Sequence, residues 1–176
     1  LAQANLESFV EYPKNTMWLL FENRTLVKIL KGKYSFFILE DTSVGDVRNL
    51  IIGDKNELMI ATDNGVFNFN IISNKFTKID SFDNLNASFI AGNPQNLAVA
   101  TFGEGLFIFK NKNLVRKITT ESGLIDDAIR QLFYDSDNNL WVSTISGVSL
   151  IDQKFGITNF NSSNGLINNN VRFTSQ

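Results

Sequence analysis

The chain has 176 residues, a net charge of -2 and 19% charged side chains, with 16 Phe, two Pro and neither Cys nor His. That balance argues against nucleic acid as a partner, which needs a clustered positive field. The missing Cys rules out disulfides and thiolate metal sites, and the missing His removes Ser-His-Asp and Cys-His catalysis and His-ligated zinc. No apolar run reaches the roughly 18 residues of a membrane-spanning helix, so no membrane contact and no cofactor are expected, while cysteine usage alone leaves the compartment open.

In chain order, Leu1-Ala2-Gln3-Ala4-Asn5-Leu6 reads as a linker, because Leu1 to Leu6 spans the same five positions as Leu124 to Ile129. The alternative is that Ala2-Gln3-Ala4 ends a secretory signal, although no apolar stretch precedes it. "KNTMWLLFENR" at 14–24 is a degraded copy of a stretch that recurs as "KNELMIATDNG" at 55–65, "QNLAVATFGEG" at 95–105 and "DNNLWVSTISG" at 137–147. The fuller copies share a polar turn, an apolar triplet, a Thr and a Gly. Anchored on Met17, Leu58, Leu97 and Leu140, the spacings are 41, 39 and 43 residues, in the range of propeller blades.

Each unit divides into four short strand patterns separated by Gly, Asn and Asp turns. In the third unit these are 87–91, 97–101, 106–109 and 114–118, and no amphipathic helix competes. The expectation is an all-β chain, a β-propeller segment of about four four-stranded antiparallel blades over units 6–46, 47–85, 86–128 and 129–170. Gly-Leu-Ile-Asp-Asp-Ala-Ile at 123–129 and Gly-Leu-Ile-Asn-Asn-Asn-Val at 165–171 each lead from the last strand of one unit toward the first of the next, so 171–176 reads as the start of a fifth unit. A segment cut from a larger ring at both ends would expose an apolar blade face at each. Neighbouring blades of the parent chain, or self-association, would cover those faces.

Three stretches have the look of chemistry. Asp135-Ser136-Asp137-Asn138-Asn139 opens like a calcium loop, but Leu140 and Ser146 stand where that loop needs Gly and Glu, so it reads as a hairpin turn. Gly103-Glu104-Gly105 could begin a dinucleotide fingerprint, but Ile108 replaces the third Gly and no helix follows. Asp126-Asp127 would serve as an acid-base pair only if one carboxyl were pushed up, which solvation in a surface linker opposes. Trp141 falls in the slot occupied by Trp18, Met59 and Ala98 in the other units and reads as core between blades, while Thr62, Thr101 and Thr144 are expected to bond within the following turn.

Arg48, Arg130 and Arg172 stand second in three of the first strands, interrupted at Ala87, with Glu7 in the first unit. Gathered at one channel mouth, they could capture carboxylate or sulfate oxygens in bidentate fashion, with Asp126, Asp127, Asn168, Asn169 and Asn170 of the linkers meeting sugar hydroxyls. The alternative is that each Arg bonds linker carbonyls or a local Asp.

The ordered pattern of Gly-Leu, four residues, Val/Ile-Arg, an acidic turn, Asn-Leu-Trp-Val-x-Thr and Gly-Val/Leu resembles the two-component regulator propeller repeat. It is fullest at 123–150, clear at 165–173 and 47–67, and degenerate in the first and third units. The resemblance implies a periplasmic sensor propeller of a bacterial hybrid histidine kinase, non-enzymatic and often responsive to glycans, with an oligosaccharide or other small polar ligand as partner. Two alternatives stand beside it: a propeller polysaccharide lyase or glycosidase, for which the usual His base is missing, and a protein-interaction propeller without a small ligand.

Overall fold

In the computed structural model of the chain, residues 4–39, 42–83 and 85–171 are described. Sixteen strands form four sheets, each a four-stranded antiparallel meander in chain order. The first sheet comprises β1 (Leu6–Glu11), β2 (Thr16–Phe21), β3 (Thr25–Leu30) and β4 (Lys33–Ile38), and the second β5 (Val47–Ile52), β6 (Glu57–Thr62), β7 (Gly65–Asn70) and β8 (Lys75–Lys78). The third holds β9 (Ala87–Asn93), β10 (Asn96–Thr101), β11 (Leu106–Lys110) and β12 (Asn113–Ile118). The fourth holds β13 (Ile129–Tyr134), β14 (Leu140–Thr144), β15 (Val148–Ile151) and β16 (Ile157–Phe160). The helical segments among the described residues are 3-10 turns of three residues each. None is long and apolar enough to cross a membrane.

The chain divides into two compact units, Leu1–Ala87 and Ser88–Gln176. Within the first, alternation along the strands sends Trp18, Leu20 and Leu26 of one sheet against Leu50, Leu58, Ile60, Phe67 and Phe69 of the next. Trp18, Phe37 and Phe69 form a mutual ring cluster with centroids 5.3 to 5.7 Å apart, the spacing aromatic pairs prefer. Within the second unit the facing residues are smaller: Ala91, Ala98, Ala100, Leu106 and Ile108 meet Leu132, Leu140, Val142 and Ile151.

The turn between second and third strands is built the same way three times. Thr62, Thr101 and Thr144, all fully buried, donate Oγ1–H to the carbonyls of Gly65, Gly105 and Gly147 at 3.0, 2.8 and 3.0 Å. The same oxygens accept the amides of Asn64, Glu104 and Ser146 at 3.1, 3.0 and 3.0 Å. Gly105 and Gly147 have positive φ (83° and 137°). A Cβ on either would run into the carbonyl of Ile118 or Phe160 at the end of the fourth strand, so only glycine fits there.

Trp141 departs from the expectation of a fully buried core ring. Leu140 and Val142 point into the core shared with the third sheet. Alternation therefore turns Trp141 to the other face, where it is partly buried, stacks on Phe160 at 6.0 Å and donates its indole N–H to Asp135 at 3.0 Å. Trp18, in the equivalent slot, is completely buried because the second sheet covers it. Trp18→Ala is therefore expected to cost about 3 to 5 kcal/mol, and Trp141→Ala distinctly less, in urea unfolding of the two variants. Equal losses would contradict this assignment of the two rings.

Candidate functional site

The recurrent second position of the first strands carries a backbone irregularity that places its side chain. Leu6 pairs with Phe21 and Ser8 with Leu20, Val47 with Thr62 and Asn49 with Ala61, Ile129 with Thr144 and Gln131 with Ser143. Glu7, Arg48 and Arg130 are thus each the extra residue of a β-bulge, a device that re-aims a side chain out of the ladder. In β9 the same position is Ser88, whose hydroxyl donates to the Ile129 carbonyl at 2.8 Å.

Of the three candidate arginines, the two that lie in the described residues have different electrostatic surroundings. In the first unit Arg48 pairs with Asp46 at 3.4 Å. Glu7 feels the same cation: desolvation raises its carboxyl above the ordinary range and the Arg48 charge opposes that rise, while Glu22 and Asp46 add to it. Arg48 therefore sits among carboxylates. In the second unit Arg130 donates from Nη1 to the Asn170 side-chain oxygen at 2.7 Å. A neutral amide orients that guanidinium without cancelling its charge.

Of the remaining candidate residues, Asp126 accepts the Ala128 amide at 2.9 Å and the Ser146 hydroxyl. Asp127 accepts the amide and hydroxyl of Thr120 at 2.8 and 2.9 Å, and its carbonyl accepts the amides of Gly103 and Gly105 at 3.1 and 3.2 Å. Asn168 caps the amide of Asn170 at 2.8 Å and Asn169 that of Ser162 at 2.6 Å. These four side chains hold the linkers in shape, whereas Asn170 turns to Arg130. Arg172 lies outside the described residues. Among the described residues no cluster of three or more carboxylates is arranged to hold a metal ion.

Sequence reasoning did not find the bulges, nor the choice of Asn170 over its neighbours. The only signal for the first was a charged residue recurring at the second position of the first strands. The apparent calcium loop is a hairpin: the Asp135 carboxylate accepts the Asn139 amide at 2.8 Å and the Asp137 amide at 3.0 Å besides the Trp141 indole.

Successive four-stranded antiparallel meanders define this chain as built of β-propeller blades. Residues 123–146 match the family model described as two component regulator propeller. Among solved structures, the chain is similar to the extracellular domain of a putative one component system from B. thetaiotaomicron (TM-score 0.73, 16% identity, 94% of this chain and 26% of that one). It is also similar to the extracellular domain of a putative hybrid two component system from the same organism (TM-score 0.66, 20% identity, 98% of this chain and 30% of that one). A third similar structure is virginiamycin B lyase from Staphylococcus aureus (TM-score 0.67, 14% identity, 89% of this chain and 55% of that one). The chain thus spans between a quarter and a third of the two extracellular domains. No curated protein matches the sequence.

The bond to the Trp141 indole is the leading cause that holds the Asp135 carboxyl below the usual aspartate range. A lowered carboxyl contributes its share of stability above the unfolded-state value of about 3.9 and loses it as pH falls through the lower folded-state value. In a Trp18→Phe background, where Trp141 is the remaining indole, its fluorescence is expected to hold steady through pH 4 and to change only below it. A transition centred at or above about 3.9 would remove this bond from the account.

Proposed function

We propose that this chain is a non-enzymatic segment of the extracytoplasmic sensor propeller of a bacterial two-component receptor. The observation that carries the reading is the two component regulator propeller repeat at 123–146, and the likeness to extracellular domains of one- and two-component systems supports it. The lyase likeness favours an enzyme less. One of the similar lyase structures is a catalytically inactive variant that has lost a histidine, and these 176 residues contain none. The two adjacent carboxylates, Asp126 and Asp127, are both engaged in linker hydrogen bonds.

Within that reading the ligand is an anionic solute, an acidic glycan first among them, recognised at Arg130 with Asn170. Arg130 supports this better than Arg48 because its partner is an amide and not a carboxylate. With a net charge of -2 on the chain, long-range attraction is weak, so binding rests on local bidentate contacts and falls only moderately with salt.

Calorimetry on the intact sensor domain with sulfated, uronic-acid and neutral oligosaccharides tests this. Arg130→Ala is expected to weaken the anionic ligands by about tenfold or more, equivalent to about 1.4 kcal/mol, and to leave neutral ones unchanged. If the variant binds every ligand as the parent does, Arg130 only braces the linker. Turnover of any oligosaccharide would favour the enzyme instead.

A further inference from the structure

The second unit contains a cavity of about 480 Å³ at the hairpin ends of its two sheets, away from the linkers that carry Asp126 and Asn170. Its volume lies in the range of small-molecule sites. The floor is aliphatic, from Ile108, Leu140 and Ile151, the walls include the rings of Tyr134 and Phe155, and Lys110 stands at the rim.

Comparison of the repeats explains why space remains there. Trp18 pairs with Lys28 of β3 as Ala98 pairs with Ile108 of β11, and Phe69 pairs with Leu58 as Ile151 pairs with Leu140. Where the first unit fills the gap between its sheets with the Trp18, Phe37 and Phe69 rings, the second places Ala98 and Ile151. Replacing rings by short aliphatic side chains on an unchanged scaffold leaves volume behind.

Both ring-bearing wall residues are fixed by their surroundings. Phe155 has φ +66° although Gly156 is its neighbour, a conformation costly for a bulky residue and concentrated at functional positions. Its hairpin is fixed by Asp152, whose Oδ1 accepts the amides of Lys154 and Gly156 at 2.7 and 2.8 Å, and the Arg116 guanidinium lies over its ring at 5.3 Å. The Tyr134 ring edge lies against Gly92, where a Cβ would come within 3.2 Å of it. Burial pushes the Tyr134 phenol up from a value that already leaves it neutral near pH 7. Among the described residues Lys110 makes no ion pair, so its ammonium is available at the rim.

We propose that this cavity binds a small organic carboxylate with an apolar body, the carboxylate meeting Lys110 and the body resting on Ile108, Leu140 and Ile151 between the Tyr134 and Phe155 rings. An apolar floor supplies affinity by burial, and Lys110, the one cation of a lining that also holds the amide-bonded Asp152 carboxylate, sets orientation. The site is independent of Arg130, so Arg130→Ala leaves it intact.

The test uses the full chain with phenylacetate and its neutral isostere phenylacetamide as probes, followed by saturation-transfer NMR and calorimetry. Phenylacetate is expected to bind with a dissociation constant of about 1 mM or tighter, and about tenfold better than the amide. Lys110→Met, a change at an exposed position, is expected to reduce that preference to less than about threefold. Ile151→Phe, which restores the ring found at Phe69, is expected to lose both probes while keeping its circular dichroism. Absence of binding by either probe, or equal binding of acid and amide, overturns the proposal. So does unchanged binding in a folded Ile151→Phe protein. If Ile151→Phe does not fold, Lys110→Met decides alone: an unaltered preference for the acid overturns the site.

Discussion

A buried threonine hydroxyl closes the turn between the second and third strands in three of the four sheets, and the positions of the linkers follow from it. Each hydroxyl both donates to a glycine carbonyl and accepts a backbone amide, so the tight turn leaves no orphan polar group at a fully buried position. Gly105 and Gly147 let the end of the fourth strand approach more closely than any Cβ would allow, and Gly65 does the same for the carbonyl of Phe82 in the 3-10 turn beyond it. The turn then becomes a docking point for the incoming linker. Asn64 donates to the Ser43 carbonyl at 2.8 Å and Asp63 accepts the Asp46 amide at 2.7 Å, while the Asp127 carbonyl gathers the amides of Gly103 and Gly105. Because the linkers are fixed there, the bulged residues of the first strands come out at defined places.

That arrangement divides labour between scaffold and surface. Packing and turn closure are carried by residues whose alternatives are few: the threonines, the glycines and the alternating aliphatic rows. Glu7, Arg48, Ser88 and Arg130 occupy one structural position with three kinds of polar side chain. The bulges at Glu7, Arg48 and Arg130 tolerate such variation because their side chains lie outside the ladder.

Much of the fold was legible because propeller strands announce themselves by alternation and by turn residues. The third-unit strands read from sequence at 87–91, 97–101, 106–109 and 114–118 lie within β9, β10, β11 and β12, and the three threonines bond where turn chemistry places them. What could not be read is what covers a given face. Trp18 and Trp141 share a slot and a local pattern, yet one is completely buried by a neighbouring sheet and the other rests on Phe160 and Asp135. The candidate site was legible only as a recurrence of arginine. Its partners depend on linker geometry across long sequence separations, as between Arg130 and Asn170. The cavity was invisible for a similar reason. Ala98 and Ile151 are ordinary strand residues until their register against Trp18 and Phe69 shows what volume they omit.

The dependence of the blades on threonine closure is tested most directly by urea unfolding of Thr62→Val, Thr101→Val and Thr144→Val. Valine keeps the shape and removes the hydroxyl, so each turn loses both the bond to its buried glycine carbonyl and the bond from its part-buried amide. Each variant is expected to lose about 1 to 3 kcal/mol with an unchanged denaturant slope. Losses within about 0.5 kcal/mol of zero, the range of ordinary surface substitutions, would contradict the account.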